Sequence, residues 1–226
     1  MFPRPPLRLS GQSNLFIKTV HKKIPEMKTK HAIFCLLFLS LASCITLVKW
    51  RYGITDPKEV TPSNLTSFLE RHHYPRRDQF IFNDSLSYCR SLRNSAYRKH
   101  LFSHMIFDRR GLPLQRDTTK CQWSGFEVIK GLSPDSVYQG TGGIQLGDIL
   151  DHIHPIAAGP GQDTLMHPDF TIVVTWAKFL GTYNARLFDL ADAVKQNKTA
   201  RIRLIWLNAD MQKSWNLTKE QKLEIK

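Results

Sequence analysis

A chain of 226 residues with 42% hydrophobic residues and five tryptophans has room for one ordinary core, which excludes a wholly disordered or fibrous polypeptide. Its formal charge of +13 is unevenly spread: residues 1–50 carry eight Lys/Arg against Glu26, residues 71–120 carry eleven against four acids, and residues 121–226 hold eleven of each sign. The basic excess therefore belongs to the N-terminal half, and the C-terminal part has the balance of a packed domain.

Residues 1–31 form a basic tail, predicted to be cytosolic. Residues 32–48 are uncharged and apolar, bounded by His31 and Lys49, and seventeen residues of helix just cross a bilayer. Lys18, Lys22, Lys23, Lys28 and Lys30 before this run outnumber Lys49, Arg51 and Lys58 after it, which orients the chain as a single-pass type II protein. The alternative is a cleaved signal peptide starting at Met27; a retained signal anchor is preferred because 26 residues precede that Met. Both readings send the remainder into the lumen of the secretory pathway, and the expected location is the Golgi or ER membrane. Sequons at Asn64, Asn83, Asn197 and Asn216 all fall on the expected luminal side, so N-glycosylation is predicted at each. In that oxidising compartment Cys89 and Cys121 are expected to form a disulfide, with two free thiols as the rival, whereas Cys35 and Cys44 lie inside the apolar run.

Residues 49–84 read as a stem, because Pro57, Pro62 and Pro75 break helices and only residues 65–69 suggest a short one. A luminal α/β domain is expected over residues 85–226. Within it, Leu86, Cys89, Leu92, Ala96 and Leu101 approximate helical spacing and predict a helix over residues 85–107. Residues 126–129 and 144–150 read as short strands, and residues 155–168 as a Gly- and Pro-rich loop. The continuous buried-strand pattern at residues 171–176, the helical face of Leu187, Ala191 and Val194 within residues 184–196, and a second strand over residues 201–207 predict a parallel β-α-β unit. The expected architecture is thus α/β: an N-terminal transmembrane helix and stem, then a luminal domain with that unit.

Ligands of parallel sheets bind beyond the carboxyl ends of the strands, where freed backbone donors converge. In the β-α-β unit, Phe170-Thr-Ile-Val-Val-Thr175 and Arg203-Leu-Ile-Trp-Leu-Asn208 resemble the first two strands of the nucleotide-binding half of GT-A type, exostosin-like glycosyltransferases. The resemblance covers about residues 169–216, and the order of anchor, stem and luminal domain is similar to that of Golgi glycosyltransferases. It implies that Thr175, Lys178, Asn208 and Asp210 lie near the nucleotide of a sugar donor, with a divalent metal such as manganese. The chain departs from that family in having no Asp-x-Asp metal motif, so either it is a truncated form or it does not catalyse transfer. The same unit resembles a thioredoxin-like domain across residues 176–183, with Leu180 and Tyr183 where the cysteines would stand. Such a domain would bind without redox chemistry.

Asp148, Asp151, His152, His154 and His167, and the pair His100 and His104, have metal-ligating side chains but no recurring ligand spacing, and solvated histidines are expected. Asp151-x-x-His154 is similar to the Asp–His pair of some serine esterases, but no Gly-Asp-Ser motif accompanies it. The glycines at residues 140–143 and 159–161 lack the strand–loop–helix setting of a phosphate loop. Arg71, Arg76, Arg77, Arg90, Arg93, Arg98, Arg109 and Arg110 would attract an anionic glycan, with a solvated basic face as the rival; a lumen excludes nucleic acid.

Overall fold

The computed structural model describes residues 46–114, 125–135, 143–156 and 167–225. After a helical segment at residues 46–52, helix α1 (Pro62–Arg71) begins on a reciprocal cap: the Thr61 hydroxyl accepts from Asn64 N at 3.2 Å and Asn64 Oδ1 accepts from Thr61 N at 3.3 Å. Pro62 suits the first turn because that turn needs no donor. Strand β1 (Gln79–Phe82) leads into α2 (Ser85–Arg93), whose Ser87 N donates to Asp84 Oδ1 at 2.7 Å. Next come α3 (Ser95–Arg98), β2 (His104–Asp108), α4 (Gly125–Lys130), α5 (Leu146–Leu150) and β3 (Ile153–Pro155). The chain continues through β4 (Phe170–Trp176), a 3-10 turn (Lys178–Leu180), α6 (Tyr183–Phe188), α7 (Leu190–Gln196) and β5 (Ile202–Asn208). A second 3-10 turn (Lys213–Trp215) and α8 (Lys219–Ile225) follow.

The five strands form one mixed sheet in the order β2-β4-β5-β1-β3. β4, β5 and β1 are parallel, while β2 and β3 close the edges antiparallel. β4 is buried at every position, as a central parallel strand covered on both faces must be. Phe170, Ile172, Val174 and Trp176 point to one face with Ile202, Leu204, Trp206 and Ile81; α1, α4, α6 and α7 cover them. Val173, Ile205, Leu207, Phe80 and Phe82 point to the other, under α2, α3 and α5. The first face holds an aromatic stack in which Phe68 lies parallel to Trp176 (5.8 Å) and Phe188 meets Trp206 (4.6 Å). Trp176 keeps its indole N–H satisfied in the core by donating to Gln79 Oε1 at 3.1 Å.

The parallel β-α-β unit is present, with its helical stretch broken at Asp189 into α6 and α7. Four expectations are corrected. The helix predicted over residues 85–107 ends at Arg93, and residues 104–108 are an edge strand; Leu86, taken as an inward position, is 75% exposed, while Tyr88 is buried. Residues 126–129 are helical rather than extended, since Gly125 and Ile129 share one inward face at a spacing of four. Residues 146–150 are likewise helical. The stretch expected as a stem contributes α1 and the inner strand β1, with Val60, Leu65 and Leu69 in the core. Proline breaks helices but does not prevent a segment between two prolines from packing.

Most of the expected anchor, Cys35, Cys44 and Cys121, the glycines at residues 140–142 and the Gly/Pro-rich loop over residues 157–166 lie outside the described residues. Among the described residues no helix is long and apolar enough to cross a membrane. The helical segment at residues 46–52 presents Leu47, Val48 and Trp50 to the surface. It joins the domain through Tyr52 O, which accepts from Thr182 N at 2.8 Å.

Candidate functional site

The carboxyl ends of β4, β5 and β1 lie along one edge of the sheet, and the side chains there fall into two groups. At the β4–β5 corner, Asn208 Nδ2 donates to Asp210 Oδ2 at 2.8 Å, Asp210 N donates back to Asn208 Oδ1 at 3.1 Å, and Lys178 N donates to Asp210 Oδ2 at 2.6 Å. Gln212 adds a donation to Asp210 O at 2.8 Å, and Thr175 Oγ1 meets Tyr97 Oη at 3.3 Å. The sequence pattern thus brings Thr175, Lys178, Asn208 and Asp210 to one corner. Thr175 and Asn208 are fully buried and Asp210 is 2% exposed; Lys178 alone presents its side chain to solvent. Burial raises the Asp210 carboxyl to about 6 despite the N–H groups that favour its charge. The corner works as a fastener between the exits of β4 and β5.

At the β1–β3 corner the polar groups stay at the surface. Asn83 follows β1, donates from Nδ2 to Asp151 O at 3.1 Å, and with Oδ1 accepts from His154 Nδ1 at 3.0 Å. Asn83 N also donates to His152 O at 2.9 Å, and Arg90 Nη1 lies 3.2 Å from His152 Nε2, which fixes that nitrogen as the acceptor. Asp84 caps α2, and the Ser87 N–H holds its carboxyl below the usual range, with nearby His152 adding to the effect. Ser85 therefore starts a helix at the carboxyl end of a parallel strand. No hydrogen bond links Ser85 to either ring among the described residues. Sequence reasoning missed this cluster because Asn83 and His154 are 71 positions apart. The one legible signal was Asp-Ser opening a helix, three residues after an apolar pair.

The basic stretch divides once folded. Arg76 pairs with Glu70 at 3.0 Å and Arg110 with Asp108 at 2.8 Å. Arg90, Arg93, Arg98 and Lys99 on and just after α2 and α3 are exposed, and among the described residues none of them has a carboxylate within ion-pair distance. An open depression of about 380 Å³ flanks the start of β2, between Ser103, His104, Phe126, Tyr183 and Arg186. Its Arg186 guanidinium lies 4.9 Å from the Tyr52 ring centre. Among the described residues no three His, Cys, Asp or Glu side chains converge as metal ligands. Cys89 is half-buried and unbridged there, and its expected partner Cys121 lies outside the described residues.

The sequons differ sharply. Asn64, Asn83 and Asn216 are exposed, whereas Asn197 is 7% exposed and fully engaged. Comparison with protein-family models, with curated proteins and with solved structures finds no match to this chain.

Proposed function

We propose that the chain is a single-pass type II membrane glycoprotein of the Golgi or ER, glycosyltransferase-like in layout, whose luminal α/β domain binds an anionic sugar ligand without transferring it. The carrying observation is that Arg90, Arg93, Arg98 and Lys99 are exposed and, among the described residues, have no carboxylate within ion-pair distance. Guanidinium groups that no carboxylate neutralises attract sulfate, carboxylate or diphosphate oxygens, to which they donate in bidentate fashion. Transfer is disfavoured by the closed β4–β5 corner: with Thr175, Asn208 and Asp210 saturated by protein groups, only Lys178 is free to meet a donor diphosphate. The anchor is supported by the apolar run at residues 32–48 and by the exposed Leu47, Val48 and Trp50 that follow its start.

Binding of a sulfated oligosaccharide and of UDP-sugars, each with and without manganese, to the full chain in detergent separates the ligand classes. Salt-sensitive retention of the sulfated glycan, lost in an Arg90→Glu, Arg93→Glu, Arg98→Glu variant, is expected. Manganese-dependent UDP-sugar binding that needs Lys178 would favour a donor site instead, and no binding to either class would remove both.

A second reading rests on Ser85, the first residue of a helix that follows a parallel strand, with His152 near the Asp84 that caps this helix and His154 bonded to Asn83. That set is the composition of an acyl-transfer nucleophile and base, which tighten in a substrate complex. Covalent labelling by a fluorophosphonate probe, abolished by Ser85→Ala, is its test; an unlabelled chain ends it.

A further inference from the structure

The Asn197 amide is used up by the fold. Nδ2 donates to Ile129 O and Leu132 O at 2.8 Å each and to Lys130 O at 3.2 Å, while Oδ1 accepts from Thr199 N and Ala200 N at 2.9 Å each. This one side chain ties the end of α4 to the link between α7 and β5, so the last two carbonyls of α4 and that of Leu132 just beyond it have their partner inside the protein. Forming an N-linked glycan exchanges one Nδ2 hydrogen for a bond to the sugar's anomeric carbon, with the lipid diphosphate of the donor departing and the proton lost. At Asn197 that exchange would remove one of the two donor hydrogens these carbonyls share and put a sugar where α4 sits.

Asn64 and Asn216 have the opposite character. Asn64 contributes only Oδ1 to its helix cap, leaving Nδ2 at the surface. Asn216 sits exposed in a left-handed turn (φ 49°) with no side-chain bond among the described residues. They share a seam: Val60 N donates to Met211 O at 2.9 Å and Lys213 N to Val60 O at 2.8 Å, which sets Asn64 and Asn216 a few residues from the same bridge.

We infer that the folded chain carries N-linked glycan at Asn64 and Asn216, flanking the Val60–Gln212 seam, and excludes it from Asn197, although all three stand in Asn-x-Thr sequons. The inference rests on the luminal reading above. Asn197 is a structural residue whose unmodified amide is a condition of folding, so a chain glycosylated there is held unfolded.

The test is glycopeptide mass spectrometry on the full chain expressed in secretory cells, after limited proteolysis has separated folded from unfolded material. Occupied Asn64 and Asn216 with bare Asn197 are expected in the resistant fraction, and Asn64→Gln and Asn216→Gln each remove one mobility step. Because Asn197→Gln disturbs bonds the fold uses, occupancy there is read on the unaltered chain. Glycan on Asn197 in the resistant fraction, or bare Asn64 and Asn216 in a chain glycosylated at Asn83, overturns the inference and leaves the luminal reading standing. A chain recovered from cytosol with no glycan overturns both.

Discussion

At the carboxyl edge of the sheet, the β4–β5 corner turns its polar groups on one another, whereas the β1–β3 corner keeps them at the surface. Asn208, Asp210 and Thr175 sit between buried strand exits, where an unpaired donor or acceptor is costly, so each is satisfied by protein. Asn83 and His154 are exposed beside and on the edge strand β3, so their hydrogen bond to one another can be exchanged for those of a ligand. Position in the sheet, rather than residue type, separates fastener from candidate site.

The sharpest contrast is between Asn208→Ala and Asn83→Ala. The first removes one of the donors to the buried Asp210 carboxylate and leaves a cavity between two strand exits, and should cost about 3 kcal/mol. The second acts at the surface and should cost no more than about 1 kcal/mol. Equal costs in urea denaturation would erase the distinction between the two corners.

The pH profile follows from the same corner. Asp210 rises from 3.8 to about 6 in the fold, so the folded state binds the extra proton. Its contribution is most favourable below about pH 4, declines as pH climbs toward 6 and stays flat above, a change of about 3 kcal/mol. Asp84, Asp108 and Asp169 are shifted downward and act in the opposite sense, weakening the fold as acid protonates them. The difference between the native profile and that of Asp210→Asn isolates the buried group; superimposable profiles would mean that Asp210 does not titrate in this window.

Gly181 stands at φ 56°, and a Cβ there would collide with Tyr52 O. Gly181→Ala should cost about 2 kcal/mol and loosen the segment at residues 46–52, seen as faster amide exchange at Thr182. The smallest effect on stability is expected from the Arg90→Glu, Arg93→Glu, Arg98→Glu variant, within about 0.5 kcal/mol. Unchanged stability with lost glycan retention would assign these arginines to binding; lost stability would return them to the fold.

The sequence alone determined the two inner strands and the helix between them. Seven residues of which five are large and apolar and two are threonine, as in β4, have few alternatives to a covered strand, and the resulting β-α-β unit is local in the chain. It also determined the uneven charge and the apolar run near the N-terminus. Only the tertiary structure decided that Gln79–Phe82 is an inner strand, since four residues carry too little periodicity to announce themselves. The fold alone likewise decided that Asn208 and Asp210 close a corner, that Asn83 meets His154, and that Asn197 is unlike the other sequons. Each of those outcomes depends on partners or covering elements distant in the chain, and burial is a property that no stretch of sequence has until the others have packed around it.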